Sequence, residues 1–246
     1  MNDIKQIVIA GISGDLGAVL ARELSVDSEV SIIGTMRRSK KLGETFPKNI
    51  HIVDCCDLMQ PKCCAQVALV ASELFNGRFG YIHSVGDFVE HAPFLSIKSD
   101  QANRIFESNT TTFYNAMQAM IPVMKSNGGG SSIAFSCNSV THNYPWMASF
   151  TAAKSALDSL VRTLAHEFAG DSLCFNSLVL SSLKMEKEKL SKPHGDFDNF
   201  IPPTDLLPII KFLLSQDSYL VNGNSISLYQ YSENFYHTGY FERVSK

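Results

Sequence analysis

The apolar, β-branched run Lys5–Ala10 ends directly in Gly11, Ile12, Ser13, Gly14, Asp15, Leu16 and Gly17, and apolar residues at helical spacing follow from Ala18 to Leu24. A strand that turns through glycines into a helix leaves the chain few places to go. Glycine accepts positive φ and lets backbone approach a ligand closely, while a helix N-terminus offers unpaired N–H groups and a partial positive charge. The turn therefore reads as a diphosphate cradle. The bland alternative, a tight turn with no ligand, loses ground because the motif sits between the first strand and first helix of an alternating chain.

The alternation continues. Val30–Ile33 and Ile50–Val53 read as strands, Val67–Phe75 as a helix, and Tyr81–Ser84 as a fourth strand. Ile105, Phe113, Met117, Met120, Ile121 and Met124 mark one long helix that stops before Gly128. Ser132–Ser136 is the next strand, Phe150–Phe168 the most regular helix, Phe175–Leu180 a strand, Leu206–Leu214 a helix and Ser225–Tyr229 the last strand. Strands alternating with helices imply an α/β chain with a Rossmann-type doubly wound parallel sheet, three layers α/β/α. At 246 residues one domain suffices. Residues 184–203, polar and rich in proline, are expected to form a mobile lid, and residues 232–246 a C-terminal extension.

A formal charge of −3 gives no electrostatic footprint for nucleic acid. No apolar run approaches the ~20 residues that span a bilayer, and no signal-peptide pattern opens the chain, so a cytoplasmic protein is expected. The six cysteines lack the spacing of metal ribbons, and no metal is expected.

With these features the chain resembles the short-chain dehydrogenase/reductase superfamily from about Lys5 to Tyr231. The glycine turn, Asp54 before Asp57, Asn109, Lys154 and Asn176 occur in the family's order. The resemblance implies a nicotinamide dinucleotide on Gly11, Ser13, Gly14, Leu16 and Gly17, with Asp54 and Cys55 at the adenine. Ser84 and Gly86 stand where the family has Asn-Ala-Gly, and Lys154 would meet the ribose. Asp15 replaces the family's middle glycine. The second strand ends in Gly34, Thr35, Met36, Arg37, Arg38, with no acid for a ribose 2′-hydroxyl, so NADP(H) is favoured over NAD(H); a solvated basic loop is the alternative. The helices beginning near Gln101 and Phe150 imply a homodimer or homotetramer, their apolar faces being equally compatible with plain core.

The family moves a hydride between nicotinamide and a carbonyl or alcohol, using Asn, Ser, Tyr and Lys. Asn109 and Lys154 match. Phe150 stands where the tyrosine belongs, and Cys137 where the serine belongs, with Ser136 or Ser139 as substitutes. A phenyl ring transfers no proton, and losing a general acid costs about 10²–10⁴ in rate. Lys154, Tyr144, His142 and Cys137 are the replacement candidates. Phe88, His91, Pro93, His142, Tyr144 and Trp146 would wall a small-molecule pocket. Two readings follow: an atypical NADP(H)-dependent oxidoreductase with a non-standard proton donor, or a catalytically silent member that binds dinucleotide or a protein as sensor or scaffold.

Overall fold

Strand-like runs that are apolar on both sides need cover on both sides, and the architecture supplies it. The computed structural model describes residues 5–37, 46–54, 56–88, 92–191 and 194–229. Among the described residues seven strands, β1 (Gln6–Ala10), β2 (Ser31–Thr35), β3 (Ile50–Val53), β4 (Phe79–His83), β5 (Gly130–Cys137), β6 (Leu173–Leu180) and β7 (Ser225–Leu228), form one sheet in the order β3-β2-β1-β4-β5-β6-β7. Each described pairing is parallel. The Rossmann-type sheet expected from the alternation is present.

The helices are α1 (Asp15–Leu24), α2 (Pro61–Leu74), α3 (Ser99–Phe106), α4 (Thr112–Ser126), α5 (Ser139–His142), α6 (Ala148–Glu167), α7 (Glu186–Ser191) and α8 (Leu207–Leu214). Period-two alternation divides the core between the two faces of the sheet. Val8 and Ala10 of β1 pack with Val67 of α2, Phe113 and Met117 of α4 and Leu157 of α6. Ile7 and Ile9 pack with Leu20 of α1 and Ile210 and Leu213 of α8.

One expectation fails in an informative way. The apolar spacing from Ile105 to Met124 reads as one helix, but a π turn over Glu107–Thr111 separates α3 from α4. Thr112 N–H reaches five residues back, to Glu107 O. A residue inserted in this way rotates everything beyond it, so a polar residue can be turned to the inside without spoiling the apolar face of α4. The segment 184–203 contains α7 and is tied at its ends: Leu183 bridges Ile201, and Lys184 N–H donates to Ile201 O at 2.8 Å. Arg38, Cys55, His91 and the extension 232–246 lie outside the described residues.

Candidate functional site

The strand order reverses between β1 and β4, the place at which doubly wound sheets take their ligands, beyond the C-terminal ends of the strands. Gly11 has φ +84°, and a Cβ on Gly17 would lie 2.3 Å from Gly11 O, so the turn closes only on glycine. Thr35 at the end of β2 braces it: Gly11 N–H donates to Thr35 Oγ1 at 3.1 Å and Ile12 N–H to Thr35 O at 2.9 Å. From the β4 side Ser84 Oγ donates to Ala10 O at 2.6 Å. Gly14 is the N-cap of α1 and supplies no side-chain cap. A helix leaves its first-turn N–H groups without intrahelical partners, and in α1 these lie beside Ser13 and Leu16. Arg37 is exposed just past β2, and Asp54 is exposed just past β3.

The second half of the site lies across β4. Gly86 has no side chain because there is no room for one: a Cβ would lie 2.5 Å from Asn109 Oδ1 and 3.4 Å from Lys154 Nζ. One point in space is therefore flanked by both groups. Asn109 is on the π turn and buried; its Nδ2 donates to Asp87 O and Ile105 O, each at 2.9 Å. Those two carbonyls fix which way the amide faces, since only the nitrogen can donate. Its Oδ1 is buried without a hydrogen-bond partner. Thr110 Oγ1 donates to Ala153 O at 2.8 Å and clips the π turn to α6.

Lys154, 7% exposed, donates from Nζ to Phe135 O at 2.8 Å. Burial lowers its pKa from 10.5 to about 8, with nearby Cys137 and Asp158 working in the opposite direction. Phe150 is also on α6, and Lys154 Nζ lies 5.7 Å from its ring centroid. The ring therefore stands beside the amine and brings no hydroxyl to it. Phe88 packs edge-on against Phe150, with centroids 5.2 Å apart.

The three candidates for the serine position differ in their surroundings. Ser136 Oγ donates to Asp158 Oδ2 at 2.8 Å and is buried, and Ser139 has no exposed surface. Cys137 is partly exposed, and its thiol donates to Asn138 Oδ1 at 3.4 Å. Asn138 Nδ2 donates in turn to Tyr144 Oη at 3.1 Å, so Cys137 and Tyr144 share one side chain and pack against Phe150. His142 lies beside Tyr144 and Tyr229, tilted to both rings, with centroids 5.8 and 6.0 Å away. Asn176 is structural: it donates to Val221 O at 2.7 Å and accepts from Asn224 N–H at 3.0 Å.

Sequence reasoning passed over three groups that the fold ties to this site. Tyr81, His83 and Thr112 form a buried polar line leading to the π turn. The signal available was a histidine two residues after a tyrosine in an otherwise apolar strand, hence on the same face.

The sequence model of a family described as Enoyl-(Acyl carrier protein) reductase matches residues 30–228. The chain belongs to the short-chain dehydrogenase/reductase superfamily. Similar relatives of this superfamily include the rat dehydrogenase/reductase SDR family member 4, 23% identical over 142 residues, 54% of this chain and 51% of the rat protein. The match thus spans about half the length of that relative. The 4-formylbenzenesulfonate dehydrogenase of Comamonas testosteroni is 21% identical over 241 residues, 91% of this chain and 96% of its own. Among solved structures, ElxO with NADP bound superposes with a TM-score of 0.82 at 18% identity, covering 91% of this chain and 96% of that one. No helix among the described residues is long and apolar enough to cross a membrane. No group of three or more potential metal-ligating side chains converges among those residues.

Proposed function

We propose that this superfamily member is an NADP(H)-dependent oxidoreductase acting on a small carbonyl or hydroxyl compound, with its proton moved by a group other than residue 150. The observation that carries this reading is the buried pair around Gly86: an amine with a lowered pKa and an amide oxygen without a partner, at the mouth of a glycine turn. The dinucleotide would rest with its diphosphate on the first-turn amides of α1, its 2′-phosphate toward Arg37, its adenine toward Asp54 and its nicotinamide ribose toward Lys154. Relatives support that cofactor, since ElxO is described with NADP bound. When bound, the nicotinamide supplies or accepts the hydride at its C4.

The protein's own part is the proton. With a pKa of about 8, Lys154 Nζ is mostly protonated at neutral pH yet close enough to the working pH to give its proton up. It would protonate the substrate oxygen directly or through a water held by Asn109 Oδ1. In the reverse direction the amine takes the proton back. Cys137 and Tyr144 pack against the cluster that holds Phe150 but already share Asn138. Phe88, Phe150, Tyr144 and His142 give the substrate side an aromatic wall.

Phe150 supports a second reading, in which the chain binds the dinucleotide and turns nothing over. Fluorescence titration with NADPH and NADH, followed by a carbonyl screen, separates the two. We expect NADPH to bind more tightly than NADH, and Gly17→Val to bind neither, because its Cβ would overlap Gly11 O. Phe150→Tyr should raise turnover by about 10²-fold by restoring a phenol beside Lys154. Tight NADPH binding with turnover only in Phe150→Tyr would establish the silent reading for the natural chain.

We also propose a homodimer or homotetramer. Tyr114, Leu160, Leu164 and Phe168 lend partly exposed apolar surface to an open groove of about 610 Å³ between α4 and α6, which the buried Met117 and Ile121 also line. Unpartnered apolar surface of this kind favours self-association. Sedimentation at micromolar concentration should give a species at least twice 27.2 kDa, and a monomer would remove the proposal.

A further inference from the structure

We infer that His83 is a positioning residue of the site: through Thr112 it locks the π turn that holds Asn109 Oδ1 beside Gly86 and Lys154. The inference rests on the dinucleotide reading for its functional consequence, though not for its structural half.

Thr112 Oγ1 donates its one proton to Ser108 O at 2.8 Å. It must therefore accept from His83 Nε2, 3.2 Å away, which puts the imidazole proton on Nε2. Nδ1 is left as an acceptor, and Tyr81 Oη, 3.1 Å away, can only donate to it. The line runs one way, from Tyr81 to His83 to Thr112 to Ser108 O. Every member from Tyr81 to Thr112 is at most 2% exposed, and the Phe113 ring closes on the imidazole edge-on at 5.3 Å.

The last link sits where the π turn departs from an α-helix. A regular helix would send Thr112 N–H to Ser108 O; here that N–H reaches Glu107 O instead, and the Thr112 hydroxyl takes Ser108 O. His83 holds the hydroxyl in the one rotation that permits this. Ser108 Oγ lies 3.2 Å from Asn109 Nδ2 and donates to Ile105 O, the carbonyl that also accepts from that amide. A π turn has an ordinary α-helical competitor, and reverting to it would rotate Asn109 away from Gly86. The His83–Thr112 pair works against that reversion. A neutral donor with a fixed tautomer is required for this, and a charged one is excluded by the same burial that makes the pair stiff.

Two measurements test it. The first is amide hydrogen exchange over 107–112 by NMR, without ligand, in wild type, His83→Asn, Thr112→Val and Thr112→Ser. We expect about tenfold faster exchange in the asparagine and valine variants and wild-type exchange in the serine variant, which keeps the hydroxyl. The second is NADPH affinity in the same proteins and in each combined with Asn109→Ala. Affinity should fall about tenfold in His83→Asn and Thr112→Val, but not further once Asn109 is already alanine, because residues acting through one group do not add.

Unchanged exchange in folded His83→Asn and Thr112→Val overturns the inference. So do affinity losses that add in the double variants, since these would mean general loosening of the fold. If wild type itself fails to bind NADPH, the cofactor reading falls, and the exchange data still decide whether His83 locks the turn.

Discussion

Acidification is expected to cost this protein about 5 kcal/mol through His83 alone between pH 6.5 and 3. Burial, with Lys154 nearby adding a smaller push, lowers the His83 pKa from 6.5 to about 3, and each unit is worth about 1.4 kcal/mol. The sign follows from the base being neutral in the fold. Below pH 6.5 the unfolded chain takes up a proton that the folded chain refuses, so the stability present above 6.5 is lost as pH falls toward 3. A loss of that size is comparable with the whole stability of many domains. The groups facing the imidazole leave it no anion to pair with: Tyr81 and Thr112 are neutral, Phe113 is apolar and Lys154 has the wrong sign. Asp158 works in the opposite direction, because burial raises its pKa and protonation favours the fold. The decisive quantity is therefore the difference between wild type and His83→Asn in urea titrations across this range. The variant should be less stable at pH 7 for want of its hydrogen bonds, and the two curves should converge and cross on acidification. Parallel curves would mean that the histidine is solvated in the fold.

How much of this was legible in the sequence depends on whether period or contact carries the information. Strands β1 to β7 are short apolar runs between turn residues, and the order of strands and helices fixes the doubly wound sheet almost unaided. The glycine turn is legible for the same reason, since Gly11 and Gly17 answer to local sterics. The π turn is not, because Ile105, Phe113 and Met117 keep a helical spacing on either side of it and the inserted residue shows only in hydrogen bonds. His83 looks like an apolar strand position with an odd occupant until Thr112 is brought opposite it. Likewise Ser136 looks like a serine candidate until Asp158, on α6, claims its hydroxyl. Side chains that meet across elements are where reading the chain alone runs out.

Lys154→Met is expected to stabilise the protein at pH 7 and to remove most of its turnover. Holding Lys154 at a pKa of about 8 instead of 10.5 means that its ammonium costs the fold roughly 3 kcal/mol at neutral pH. Methionine of similar length removes that charge. It leaves Phe135 O without its donor, at a cost of about 1 kcal/mol, so the net gain should be roughly 2 kcal/mol. The pH dependence identifies the cause. Between pH 8 and 10.5 the unfolded chain binds more protons at this position than the folded chain, so wild-type stability rises with pH and the advantage of methionine should vanish. Burial also raises the pKa of Tyr81, which weakens both proteins alike at still higher pH and cancels in the difference. Turnover should fall by at least about 10²-fold if Nζ carries the proton, against a smaller loss of NADPH affinity. Stability gained where activity is lost is the pattern of a group kept for chemistry at the expense of the fold. Full turnover in Lys154→Met would move the proton to Cys137 or Tyr144, and a loss of stability at pH 7 would mean that the ammonium is served by its surroundings rather than stranded in them.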